Sequence, residues 1–223
     1  GSCILKLFDM SAGATGLNES AARAAGLDYD KVYLSPASHA TYYPGARSLR
    51  IKALFEKGTG RILGAQAVGF EGVDKRLDVL ATAIRGGMTA ADLEELELGY
   101  APPFSSAKDP VNMVGFVAGN VLAGRVDQYH WHDLPQIMED EKNVLLDVRT
   151  LEEHRAGHFP GSVHIPLDDL RDGLPRLDRA KPLYVYCQSG LRSYLACRIL
   201  TQHGFACSHL AGGYELHECI AGQ

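Results

Sequence analysis

Nothing in this sequence reads as fibrous, repetitive or unstructured. It lacks internal repeats and low-complexity tracts, and its 46% apolar and 22% charged residues sit near the globular average. Long apolar runs are also missing. The most apolar long stretch, Val111 to Gly124, is interrupted by Asn112 and Asn120 and is too short to cross a bilayer, so no membrane partner is expected. The opening residues show no basic segment leading into an apolar run, so no signal peptide is expected there. A basic surface is lacking too. Residues 1–120 carry 12 basic and 13 acidic side chains, and residues 121–223 carry 10 and 14, which argues against nucleic acid as a partner.

Cysteine is scarce and its count is odd: Cys3, Cys187, Cys197, Cys207 and Cys219. Their spacing matches no zinc pattern and is too sparse for a disulfide framework. A cytoplasmic protein with at least one working thiol is the expectation. Eight of the nine histidines lie in the second half, where His130 and His132 can share a strand face. With no third ligand at metal spacing, no metal site is expected. A Gly-x-Gly-x-x-Gly following a strand is absent, so no dinucleotide-binding fold is encoded.

What is present divides into two halves, with a seam at Gly119–Arg125. Cys3–Met10 and Lys31–Pro36 read as strands, and Asn18 as the cap of a short helix. Ser48–Lys57 and Arg61–Phe70 alternate with period two around Gly58-Thr59-Gly60, a hairpin signal. Val73, Leu77, Leu80 and Ile84 form a helical stripe; Thr89 and Asp109 open two more helices. This half reads as an α+β unit. The second half holds two short continuous apolar runs, Val144–Val148 and Leu183–Tyr186, typical of parallel strands buried on both faces. Helical patterns at Leu134–Met138, Leu151–Arg155, Asp168–Leu170 and Leu191–Gln202, and a last strand near Ser208–Leu210, make it an α/β unit with a parallel sheet flanked by helices. The expected domains are residues 1–123 and 127–223.

The strongest chemical signal is Tyr186-Cys187-Gln188-Ser189-Gly190-Leu191-Arg192-Ser193. A buried strand ends at a cysteine, and a glycine-bearing loop runs straight into a helix. A thiol there faces unpaired helix N–H groups, and Arg192 adds a cation; both favour the nucleophilic thiolate. Cys187 is therefore expected to have the lowest thiol pKa of the five, and Cys197 to be a core residue.

At these residues the sequence resembles a rhodanese domain. The family carries a six-residue loop from its nucleophilic cysteine to an arginine, here Cys187 to Arg192. The related dual-specificity phosphatases use one residue more to hold a phosphate, so the resemblance favours sulfur transfer over phosphatase chemistry. Leu146-Asp147-Val148-Arg149, Glu152-Glu153-His154, Gly157 to Pro166, and Leu210-Ala211-Gly212-Gly213-Tyr214 extend the likeness over residues 127–221. It implies a persulfide on Cys187, held by loop N–H groups from Gln188 through Ser189, Gly190 and Leu191 to Ser193. It also implies an Arg192 that assists donor binding or loop order, and support of the loop by Asp147 and Arg149. Thiosulfate or a persulfide would be the donor, and a thiol such as coenzyme A the acceptor.

The first half resembles the C-terminal dimerisation domain of coenzyme A disulfide reductases, which are FAD- and NAD(P)H-dependent. The likeness is carried by Tyr100 to Asn112, by Phe8-Asp9 with Ala14-Thr15-Gly16-Leu17, and by Tyr42-Tyr43-Pro44-Gly45-Ala46. It implies a homodimer in which Tyr100 and either Tyr42 or Tyr43 reach the partner's thiol substrate, with Pro102, Pro103 and Phe104 in a flavin- and partner-facing loop. The adjacent prolines are expected to hold that segment extended. FAD, NAD(P)H and coenzyme A are implied for the full-length family protein, whose nucleotide-binding domains would precede residue 1; the chain alone is expected to bind no cofactor. The alternative is a non-catalytic rhodanese module, binding or regulatory, on a dimerisation domain.

Overall fold

In the first unit, Gly1–Ala123, period-two segments pair into a single antiparallel sheet. Its strands are β1 (Ser2–Leu7), β2 (Met10–Gly16), β3 (Tyr29–Leu34), β4 (Arg50–Glu56) and β5 (Ile62–Gly69), in the order β1-β2-β5-β4-β3. Four helices accompany them: α1 (Glu19–Ala24), α2 (Val73–Gly86), α3 (Ala90–Glu94) and α4 (Pro110–Leu122). Each start has a physical cause. Asn18 accepts the Ala21 N–H at 2.8 Å, and Thr89 and Asp109 form reciprocal capping boxes with Asp92 and Asn112. The α2 stripe of Val73, Leu77 and Leu80 is buried. With Val32, Leu49, Phe55, Leu93 and Val111 buried as well, the core lies between helices and sheet, each such side chain contributing about 1.5–3 kcal/mol.

The stretch Cys3–Met10 is not one strand. It is the β1–β2 hairpin, turning at Phe8-Asp9, with Phe8 at φ 54°. The turn carries no glycine or proline to announce it, because a phenylalanine adopts the left-handed conformation.

The computed structural model describes residues 1–221, so Gly222 and Gln223 of the expected second domain lie outside the described residues. From Gly124 onward a second compact unit holds a five-stranded parallel sheet. Its strands are β6 (Asp127–Tyr129), β7 (Val144–Asp147), β8 (Val163–His164), β9 (Leu183–Tyr186) and β10 (Cys207–Leu210), in the order β6-β10-β9-β7-β8. The helices are α5 (Leu134–Glu139), α6 (Leu151–Ala156), α7 (Leu170–Gly173), α8 (Leu191–Gln202) and α9 (Gly213–Ala221). His130 and His132 do not share a strand face. His132 lies in a 3-10 turn, Trp131–Asp133, and their rings stack at 5.5 Å. Asp147, His164, Cys187 and Ala211 all fall at the C-terminal ends of strands, the edge where open α/β sheets place their sites.

Candidate active site

Cys187 follows the last residue of β9 and is fully buried. The chain then turns through half-buried Gln188 and Ser189 to Gly190, which caps α8 at φ 106°, a conformation that only glycine adopts without strain. This turn brings the Gly190 N–H to 3.1 Å from Cys187 Sγ, where it donates a hydrogen bond. Behind the sulfur, Ser193 Oγ lies 3.4 Å away as acceptor of the thiol proton, and it donates to the Gly190 carbonyl at 2.9 Å. His209 Nδ1 lies 3.5 Å from the same hydroxyl, and burial lowers its pKa to about 4, so that imidazole is neutral at pH 7.

The outer side of the loop is tied to α9. The Tyr214 N–H donates to the Cys187 carbonyl at 2.8 Å and the Glu215 N–H to the Gln188 carbonyl at 3.1 Å. Gly213 makes this possible: at φ 72°, a Cβ there would sit 2.5 Å from the Gln188 oxygen. The loop is thus a set of peptides whose carbonyls are engaged outward while an N–H points at the sulfur. Such a nest holds an anionic sulfur well. Leu191 is exposed, and Ser189 is half-buried beside it.

Arg192 does not stand free beside the thiol. Its two terminal nitrogens donate to the two oxygens of Glu153 at 2.7 and 2.6 Å, a bidentate pair. Glu153 is the N3 residue of α6 and also closes the capping box with Thr150. The Arg192 hydrogen bonds hold its carboxyl down at about 2.

A second ion pair lies deeper. Asp147 is fully buried and Arg149 nearly so. Arg149 donates to Asp147 through its backbone N–H at 2.9 Å, through Nε at 3.0 and 3.2 Å, and through Nη2 at 2.8 Å. It reaches the loop by donating to Gln188 Oε1 at 3.2 Å, and its guanidinium lies 4.1 Å over the Tyr214 ring. Burial pushes the Asp147 carboxyl up, but the bonds from Arg149 and from His154, 2.9 Å away, outweigh it and leave the pKa below the usual carboxylate range. His154 is sandwiched between the rings of His158 and His164 at 4.0 and 4.2 Å. Parallel stacking keeps their nitrogens from converging, and no group of three or more His, Cys, Asp or Glu among the described residues is arranged to hold a metal.

Outside the loop, the Cys207 thiol has a lowered pKa. A hydrogen bond with Cys197 brings Cys207 down to about 7 against the opposing effect of burial, with Thr201 Oγ1 3.5 Å from its sulfur. Cys197 itself is buried, and its pKa is pushed well up, first by Cys207 and then by burial. The pairing joins α8 to β10 and has no sequence signature beyond two cysteines ten positions apart. Iodoacetamide labelling of Cys207 at pH 7, followed by peptide mass spectrometry, should slow several-fold in Cys197→Ala, because the thiolate fraction falls with the lost hydrogen bond.

In the first unit, Tyr42 and Tyr100 are brought together with their hydroxyls 2.7 Å apart, both exposed. Their mutual hydrogen bond raises the Tyr42 pKa. Tyr43 is placed elsewhere, its ring edge-on to His39 at 5.7 Å. Tyr100, Pro103 and Phe104 line an open cavity of about 640 Å³ together with His39, Lys75 and Ala101. Pro102 is not on that wall; its carbonyl accepts the Ala40 N–H at 3.3 Å. The diproline segment is a turn and not extended: the Phe104 and Ser105 N–H groups both donate to the Ala101 carbonyl, at 2.9 and 3.1 Å. A proline φ near −65° suits a turn as well as an extended chain. Beneath it, buried Arg76 binds Asp109 at 3.0 Å, Ser38 O at 2.9 Å and Ser105 Oγ at 3.3 Å. This fixes the segment against α4, whose first N–H groups Asp109 caps.

Residues 3–110 match the family model of the pyridine nucleotide-disulphide oxidoreductase dimerisation domain, and residues 130–217 match that of the rhodanese-like domain. The coenzyme A disulfide reductase of Staphylococcus epidermidis is 40% identical over 118 residues, which is 53% of this chain and 26% of the relative. Among solved structures, reduced Bacillus anthracis CoADR-RHD is 44% identical with a TM-score of 0.97, covering 100% of this chain and 40% of that one. An NAD-dependent persulfide reductase from A. fulgidus is 42% identical with a TM-score of 0.87, covering 96% of this chain and 38% of that one. The chain therefore spans about a quarter of the length of the curated relative and about two fifths of the solved ones.

Proposed function

We propose that this chain, whose first unit matches the pyridine nucleotide-disulphide oxidoreductase dimerisation domain and whose second matches the rhodanese-like domain, is a sulfurtransferase working through a persulfide on Cys187. The observation that carries the reading is the placement of the Cys187 sulfur, 3.1 Å from the Gly190 N–H at the start of α8, in a loop whose carbonyls are bound outward to α9. The nucleophile divides transfer into capture and release. In capture, the Cys187 thiolate forms a bond to the outer sulfur of thiosulfate while the sulfur–sulfur bond of the donor breaks, and sulfite leaves with the electron pair. In release, a thiolate acceptor such as that of coenzyme A takes the same sulfur and returns Cys187 as thiolate. The N–H groups from Gln188 to Ser193 stabilise the anionic outer sulfur between the steps. Arg149 and Asp147 hold Gln188 and so position the loop without touching the reacting atoms.

The first unit pairs two copies in this reading, and the Tyr42–Tyr100 pair supplies a hydroxyl to a thiolate of the partner's substrate. The whole protein would be a flavin- and nicotinamide-dependent disulfide or persulfide reductase of the reducing cytosol. Among the described residues neither unit offers a glycine-rich cradle for a dinucleotide, so these residues do not fit a flavin by themselves. No helix of the described residues is long and apolar enough to cross a membrane.

Treatment with thiosulfate or an organic persulfide, then peptide mass spectrometry, tests the proposal. One added sulfur atom is expected on Cys187 alone, removable by cyanide or excess small thiol. An added sulfur confined to Cys207 or Cys197 would refute it.

A further inference from the structure

Arg192 sits five residues past Cys187, in the first turn of α8. Its guanidinium is already saturated on one edge by both oxygens of Glu153, at 2.6 and 2.7 Å, and that carboxylate stays ionised at any pH above its value of about 2. The deeper pair, Arg149 with Asp147, is likewise balanced at 2.8 Å. The imidazole behind the sulfur is neutral at pH 7. Both arginines that reach the loop are therefore paired with carboxylates, and the loop N–H dipoles remain to attract a donor. The same two helices that supply the Glu153–Arg192 pair also expose apolar side chains: Leu151 on α6, and Leu191 and Leu195 on α8, are 48%, 62% and 43% exposed.

We infer that Glu153 is a specificity-determining residue: by neutralising Arg192 it makes the approach to Cys187 favour sulfane sulfur carried on an organic group with a single negative charge over the thiosulfate dianion. The inference rests on the sulfurtransferase reading and narrows its donor class. The physical argument is Coulombic. A lone guanidinium at this partly desolvated position would attract a dianion about twice as strongly as a monoanion, whereas a closed ion pair leaves little field to distinguish them. Desolvating the second charge of thiosulfate then goes uncompensated, while an alkyl group finds the exposed leucines.

The test compares two donors of nearly the same shape. Methanethiosulfonate is thiosulfate with a methyl group in place of one charged oxygen, and each donor loses its outer sulfur to a thiolate with a sulfur oxyanion as leaving group. The rate of persulfide formation on Cys187 is followed for both. The wild-type protein should prefer methanethiosulfonate; a preference for thiosulfate overturns the inference without recourse to any variant. In Glu153→Gln, which keeps the capping box because glutamine serves at N3, the thiosulfate-to-methanethiosulfonate ratio of kcat/KM should rise about tenfold. Added salt should bring that ratio back towards the wild-type value by screening the exposed cation, a response that a purely structural role for Glu153 does not produce. Persulfide formation with an unshifted ratio in Glu153→Gln overturns this inference alone. Failure of both donors to place sulfur on Cys187 in the wild-type protein overturns the sulfurtransferase reading and takes this inference with it.

Discussion

Sulfur transfer should fall by about a thousandfold or more in Cys187→Ser, and the covalent intermediate should vanish with it. Serine is close to cysteine in size, so the fully buried position and the loop around it should survive. What changes is the nucleophile. A thiol releases its proton near neutrality, whereas a hydroxyl does not and needs an adjacent base. None is on hand. The groups bonded to the Cys187 sulfur are the Gly190 N–H, a donor, and the Ser193 hydroxyl, itself unionised. His209 lies one hydroxyl further, and at a pKa of about 4 it is a weak proton acceptor. Turnover would be followed as sulfite release from thiosulfate and as thiol-dependent release from an organic persulfide. Retained turnover would sink the sulfurtransferase reading and leave a non-catalytic binding module on a dimerisation domain.

Asp147→Ala should destabilise the second unit by about 3–5 kcal/mol, because it strands Arg149, nearly fully buried, without its counter-ion. The protein reports on this unit conveniently, since its one tryptophan, Trp131, lies there. Urea unfolding followed by tryptophan fluorescence should show the midpoint move to lower denaturant. The pH dependence carries a sign. Asp147 has a folded pKa below its unfolded value, so its contribution is fully present above about pH 4 and is lost as pH falls through the folded pKa. The wild-type stability should therefore drop below about pH 4 more steeply than that of Asp147→Ala. Parallel curves would mean that the pair adds nothing net.

Much of this architecture is legible without coordinates, and the parts that are not share a cause. Helix α8 and strand β9 stand out because apolar period, length and flanking glycine agree, and α1, α3 and α4 begin at side chains whose capping chemistry is local. Strands β6 and β8, three and two residues long, are too short to show a period and exist only because neighbouring strands pair with them. The turn at Phe8 is hidden because a non-glycine residue takes a positive φ. At the candidate site, Cys187 and its loop are local features and can be read from spacing. The Glu153–Arg192 pair joins residues 39 apart, and Tyr42 with Tyr100 joins residues 58 apart. Nothing in linear spacing separates Tyr42 from Tyr43, since both flank the same turn; only tertiary placement does.

The bonds from α9 to the Cys187 loop make the last helix part of the scaffold of the thiol. Two backbone amides and a glycine, all more than twenty positions downstream, set the curvature of a six-residue segment. Residues 187–192 are therefore not a portable cassette. Grafted onto the strand–helix junction of another parallel sheet, they would carry the cysteine and arginine but leave two carbonyls unanchored, and the peptide planes would be free to turn their oxygens towards the sulfur. A working transplant has to bring the start of α9 along with the loop, and a chain clipped before Gly213 should keep its sheet yet lose the fixed inward face on which a bound sulfur anion depends.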